Sequence, residues 1–168
     1  LEMAISEDDD HFSIVSHLGN PDSVLFRAIA RLLPSAPSPG DVRVRRFQAL
    51  ADPTRIRVVR LLAETDEEAC LCELVDSLLE PQYKLSRHVK VLRQAGLLSA
   101  AKEGRWVYHQ LVEGIPYLDR LYEALKVLPD VDGRFARDVE NFRQRMYIRK
   151  GGRCRVGIQT PELAARGE

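Results

Sequence analysis

The sequence predicts a mainly α fold with one β-hairpin wing, a winged helix-turn-helix that assembles as a homodimer and carries helical extensions at both ends. Three observations predict it. Two short helical stripes are separated by Glu80-Pro81, the apolar period changes from helical to alternating just after Gly96, and helical periodicity returns at Pro116. On this basis residues 1–41 form an acidic N-terminal extension with one helix and a Pro-rich linker. Residues 42–128 form the winged helix-turn-helix and dimerisation domain, and 129–168 a last helix with a basic, cysteine-containing tail.

The elements follow in chain order. Residues 1–20 show no sustained period, and Leu1 and Glu2 precede Met3, read as the natural start. Leu25, Ile29 and Leu32 recur at helical spacing until Pro34 and a Pro-Ser-rich stretch end the helix over residues 22–33. A short helix is expected over 42–51. Asp52-Pro53-Thr54 then places an N-cap before a first-turn proline and opens a helix through Ile56, Val59, Leu62 and Ala63.

Glu67 and Glu68 favour the start of the next helix, which carries Leu71, Leu74, Val75 and Leu78. After Pro81 a helix spans residues 82–94 with Leu85, Val89 and Leu92 on its buried stripe and Gly96 beyond its end. Alternation over 98–101 and 105–111, around a Lys102-Glu103-Gly104 turn, makes a hairpin. Leu118, Leu121, Tyr122, Leu125 and Leu128 form one terminal helical stripe, and Val131, Phe135, Val139, Phe142 and Met146 another. This is more apolar surface than a domain of that size needs for its own core, which is the argument for a homodimer.

Composition narrows the function. With 25 basic and 25 acidic residues and 45% apolar content, the chain reads as one ordinary globular domain rather than a disordered tail or a multidomain enzyme. No run of about 18 apolar residues and no basic leader is present, so a cytoplasmic protein without membrane contact is expected. The zero net charge hides a polarity, because residues 42–112 hold twelve bases against nine acids. An odd cysteine count of three argues against a disulfide scaffold.

The helix after Pro81 has the side chains of a DNA-reading face. Arg and Gln form paired hydrogen bonds to guanine and adenine edges, whereas Lys and Ser suit phosphate. Gln82, Lys84, Ser86 and Arg87 are expected near bases, and Lys90 and Arg93 on phosphates. Lys102 and Arg105 bracket the hairpin tip, where a wing meets the DNA backbone. A basic face on an isolated helix is more often simply solvated; the adjoining wing is what favours DNA here. Trp106 and Tyr108 are expected to pack the hairpin onto the helices. His88 and His109 read as satisfied or exposed histidines rather than metal ligands. A thiol enzyme using Cys72 with His88 or His109 lacks any readable oxyanion site or orienting acid, so no catalytic residue and no organic cofactor are assigned.

Taken together, ALADPTRIRVVRLLAE, the CxC-containing CLCELVDSLL, KLSRHVKVLRQAGLL and EGRWVYHQL resemble the ArsR/SmtB family of bacterial metal-sensing repressors, and most closely its arsenical-resistance branch. The resemblance covers roughly 80 residues. It implies a homodimer that binds double-stranded operator DNA and releases it when As(III) or Sb(III) is captured by cysteine thiolates, the CxC pair contributing to a three-thiolate site. Two departures matter. The third thiol of the best-known pattern falls on Val75, which leaves Cys154 in RKGGRCRVG as the only other donor beside Cys70 and Cys72. On an intact helix, residues at i and i+2 point about 200° apart, so the pair shares an ion only where the helix start frays or unwinds.

Cys154 is therefore expected to swing in on a mobile, Gly-Gly-flanked tail from its own or the partner subunit, unless it is an idle surface thiol. Capture by the pair is expected to distort the helix start and shift the reading helices. Cadmium or lead sensors of this kind add N-terminal cysteines, and none precedes Cys70; the zinc or nickel site of the family needs Asp/His pairs, and residues 114–129 hold no His. A Cd/Pb sensor, or a redox switch pairing Cys154 with Cys70 or Cys72, is the alternative on the same fold, and a metal-independent interaction module is a further rival.

Overall fold

The computed structural model describes residues 41–160, so the expected helix over 22–33, its linker and residues 161–168 lie outside the described residues. Helix α1 (Val42–Leu50) leads into α2 (Pro53–Thr65). Between them Asp52 acts as the N-cap, its carboxylate accepting a hydrogen bond from the Arg55 N–H at 3.0 Å with Pro53 in the first turn. α2 ends where Asp66 turns left-handed.

The next element differs from expectation. Glu67 and Glu68 do not start a helix. The chain first forms β1 (Ala69–Cys70), and α3 (Leu71–Leu78) begins only after it. The reason is tertiary pairing: Ala69 and Cys70 sit opposite His109 and Tyr108 of a later strand, and that ladder outweighs the local helix signal of two acids. α4 (Gln82–Gln94) follows Pro81 with the bounds expected from its stripe, and Leu85, Val89 and Leu92 are buried.

Strands β2 (Leu98–Glu103) and β3 (Trp106–Leu111) form the wing, joined by Gly104-Arg105 with Gly104 at φ +60°, a conformation glycine adopts without strain. Lys102 and Glu103 therefore belong to β2 and not to the turn. The antiparallel sheet runs β1-β3-β2, which puts β3 at its centre. Hence Tyr108 and His109 are both buried although they face opposite sides of the strand.

Helix α5 (Pro116–Lys126) ends two residues before the expected Leu128, and α6 (Arg134–Met146) begins after Val131, which is 95% exposed and not part of its stripe. Leu118, Tyr122 and Leu125 of α5 and Val139 and Phe142 of α6 join the core formed by Leu61, Leu62, Leu74, Leu85 and Leu92. Much of the terminal apolar surface is thus used within the chain. What stays exposed includes Val42 and Phe47 of α1 and Val127, Leu128 and Val131 of the α5–α6 connection.

α6 packs across α3 and α2. Arg57 fastens this arrangement: it donates to Asp138 of α6 through two 2.8 Å bonds, to the Leu78 carbonyl at 2.6 Å and to Glu80 at 2.9 Å. A buried, fully paired guanidinium of this kind fixes geometry more than it adds stability. Among the described residues no helix is long and apolar enough to cross a membrane.

Candidate thiol site and nucleic-acid interface

The two residues of the CxC pair belong to different elements. Cys70 is the extended N-cap of α3 (φ −82°, ψ 164°) at the end of β1, and Cys72 lies in the first helical turn. The 200° separation of an intact helix therefore does not apply. The corner between strand and helix brings the sulfurs to 2.8 Å with no unwinding. The Glu73 carboxylate accepts from the Cys70 N–H at 2.9 Å and holds this corner.

Cys154 is neither an idle surface thiol nor part of a swinging tail. It is fully buried, its sulfur 3.4 Å from that of Cys72 in the same chain, and the three sulfurs lie within 4.8 Å of one another. Gly151 and Gly152, both at positive φ, form a tight turn closed by the Lys150 to Arg153 pairing. The Cys154 N–H donates to the Tyr108 hydroxyl at 2.8 Å, and an Arg145 Nη lies 3.6 Å from its sulfur.

A ladder of arginines docks the tail. Arg145 donates to Asp76 at 2.8 Å, and Asp76 also accepts from the backbone N–H groups of Gln159 and Thr160. Arg149 meets both oxygens of Glu73, at 2.8 and 3.0 Å, and Arg153 joins Glu68 to Glu103 of the wing. Tyr108 lies beneath the guanidinium groups of Arg149 and Arg153.

The electrostatics oppose ionisation of two of the sulfurs, Cys70 and Cys154. The hydrogen bond to Cys72, burial and the charge of Glu73 push the Cys70 thiol up. Burial does the same for Cys154. Burial opposes ionisation of Glu73, but Arg149 and the Cys70 N–H more than offset it and hold that carboxyl below its ordinary value. The cluster contains three sulfurs and no His, Asp or Glu ligand atom. It suits a soft, three-coordinate centre better than structural zinc, which takes four protein ligands.

Of the expected DNA-facing residues, Gln82, Ser86, Arg87, Lys90 and Arg93 form the exposed face of α4, and Lys102 and Arg105 are exposed on the wing. Lys84 is half-buried and tied to Glu80 at 2.8 Å. Arg105 stacks on Trp106 at 4.6 Å. A cleft of about 780 Å³ separates α4 from the wing, and Cys70 and Cys72 line it together with Gln82, Ser86, Lys90 and Trp106. The thiol pair and the basic face thus border the same space. His109 lines this cleft too, buried with its Nδ1 unpartnered, so it is neither satisfied nor exposed as expected.

Glu73, Arg145, Arg149 and Arg153 escaped the sequence reading, and Tyr108, expected only to pack the hairpin onto the helices, also holds the Cys154 backbone. Only Glu73 left a signal, as a glutamate three residues after a helix start in the capping-box pattern.

Comparison with known proteins gives a consistent picture. Residues 52–100 match the profile described as bacterial regulatory protein, arsR family. The chain is 36% identical over 85 residues to the uncharacterized HTH-type transcriptional regulator MJ1325 of Methanocaldococcus jannaschii, covering 51% of this chain and 89% of that protein. It is 44% identical over 73 residues to the arsenical resistance operon repressor of Escherichia coli, 44% of this chain and 62% of that one. To the arsenic resistance transcriptional regulator ArsR2 of Pseudomonas putida it is 36% identical over 92 residues, covering 55% and 77%.

Proposed function

Because the chain belongs to the ArsR family of helix-turn-helix transcriptional regulators, we propose that it is a repressor that binds operator DNA as a homodimer and releases it on capturing As(III) or Sb(III) at Cys70, Cys72 and Cys154. One observation carries this reading: the buried sulfurs of the Cys70/Cys72 pair and of Cys154, 82 residues further on, meet at 2.8 and 3.4 Å, and among the described residues no His, Asp or Glu atom joins the cluster. Gln82, Lys84, Ser86 and Arg87 read bases while Lys90, Arg93, Lys102 and Arg105 address the backbone. Residues 42–128 then serve as the DNA-binding and dimerisation domain, with α1 and the α5–α6 connection supplying exposed apolar surface for the partner.

The bound metalloid supplies three positions for soft sulfur donors. The rest is the work of the chain. Cys70 is paired with Tyr108 of the central wing strand, and the Tyr108 hydroxyl holds the Cys154 backbone. Cys70 and Cys72 also border the cleft against α4. Drawing the sulfurs to one centre therefore shifts the wing relative to the reading helix, and DNA and metalloid disfavour each other by the same coupling free energy. The helix start need not unwind.

The experiment is operator binding followed by fluorescence anisotropy with arsenite titrated in. Wild type should release the operator. Cys72→Ser should bind it normally and ignore arsenite, since serine keeps the packing and offers no soft donor. Operator release by Cys72→Ser at wild-type arsenite concentrations would end the thiol reading.

A further inference from the structure

Resting on the DNA-binding part of that reading, we infer that the turn after α6 is a further DNA-contacting lobe, in which Arg155 and Lys150 take backbone phosphates beside those met by the wing tip.

The two faces of the wing border different spaces. On β3, Val107 and His109 line the cleft against α4, whereas Tyr108, on the opposite face, lines a second depression of about 440 Å³. The tail supplies Arg153, Cys154 and Arg155 to that depression, and the wing tip supplies Gly104 and Arg105. Arg105 borders both spaces, so the basic surface continues from Lys90 and Arg93 of α4 across the wing tip to the tail. A 2.8 Å ion pair from Arg153 to Glu103, the residue before Gly104, holds the tail at the level of the tip.

Most cations of this segment are committed within the chain. Arg145, Arg149 and Arg153 are each paired with buried or half-buried carboxylates. Lys150 and Arg155 differ: both are exposed, and neither side chain has an ion-pair or hydrogen-bond partner among the described residues. Their charge is open to an outside anion. Duplex DNA carries one phosphate per about 1.7 Å of helix axis, so a backbone that meets the wing tip continues past whatever stands beside it. Between the two cations, Gly151 and Gly152 leave open space where side chains would project, which lets the turn approach a strand closely. The turn lies beyond residues 52–100 that match the family profile, so this contact adds to those of the reading helix and wing.

The probe is an operator duplex enriched from a random-core library by the full wild-type chain, with a random duplex of equal length as reference. Anisotropy titrations run between about 0.05 and 0.2 M salt. Arg155→Ala should weaken binding roughly tenfold for the dimer and lower the slope of log affinity against log salt by about 0.9 per subunit. Lys150→Ala should act in the same direction, by about threefold or more. Both losses should be equal on the two duplexes, because a phosphate contact carries no sequence information. Arg155→Lys keeps the charge and should stay within about threefold of wild type. Without DNA, the arsenite affinity of Arg155→Ala should remain within about twofold of wild type, since the Arg155 side chain touches no sulfur.

Wild-type affinity and salt slope in either alanine variant would overturn the inference, as would a loss confined to the operator or an Arg155→Lys as weak as Arg155→Ala. A parallel fall in arsenite affinity would also overturn it, by placing the effect at the thiol site. A wild type that enriches no sequence would instead bring down the underlying repressor reading.

Discussion

Glu73→Gln tests the architecture of the thiol site without touching a sulfur. Glu73 is fully buried, both of its oxygens face Arg149, and it accepts from the Cys70 N–H. Removing one partner of a buried ion pair costs about 3–5 kcal/mol. Glutamine preserves the volume and one accepting oxygen, so roughly half of that, about 2 kcal/mol, is the expected loss in unfolding free energy. The loss should concentrate on tail docking, because Arg149 is the link between the end of α6 and the cap of α3.

If Cys154 must then be re-docked at the expense of arsenite binding, about 2 kcal/mol corresponds to a weakening of up to roughly 30-fold. Urea unfolding gives the first quantity, arsenite titration the second, and limited trypsin cleavage at Lys150 and Arg153 reports the tail directly. An unfolding free energy within about 0.5 kcal/mol of wild type, with a tail as protected as before, would refute the claim that this pair holds the third thiol in place.

Three other outcomes are expected. Since the Cys70 and Cys154 thiols are pushed up and stay protonated near neutrality, their protons leave with arsenite hydroxyls as water; arsenite affinity should be flat between about pH 6 and 8, whereas Cd(II) affinity should climb by up to about tenfold per pH unit for each proton released. A steep arsenite profile would mean that the thiolate is the resting form. Arg87→Ala should cost roughly 1–3 kcal/mol on the operator, and equal losses on random DNA would make Arg87 a phosphate contact. Burial, with Arg93 nearby, lowers His109 to about 4 in the folded chain. Between its ordinary value and about 4 the unfolded chain binds the extra proton, so stability is full above that window and falls as pH drops through it, by at most roughly 3 kcal/mol. His109→Gln should flatten that acid limb of the unfolding curve; an unchanged limb would place the titration elsewhere.

The parts of the fold legible in the sequence are those with local causes. The Asp52-Pro53 cap, the stripe of α4 and the alternation of the wing each write a period or a capping residue into a short window. Strand β1 is two residues long, too short for any period, and is created by its ladder to β3. That alone displaced the start of α3 and turned an unfavourable i, i+2 spacing into a ready pair of thiols. Docking of Cys154 depends on Arg145, Arg149 and Arg153 meeting Asp76, Glu73 and Glu68, residues that read as ordinary surface charge until the chain folds back. Val131 misled for the opposite reason: it falls in phase with α6 but precedes the residue at which that helix begins.

The third sulfur lies 82 residues beyond Cys72, after every element of the winged domain. A centre joining them closes a covalent loop around α3, α4, the wing, α5 and α6, and in chain-entropy terms a crosslink of that span stabilises a fold by about 4 to 5 kcal/mol. A nascent chain exposes the CxC pair long before Cys154 leaves the ribosome. Three-sulfur capture would thus be open only to polypeptides in which Cys154 has emerged and the segment after α6 has docked, so that closing the loop would follow the folding of every element between the two sulfurs.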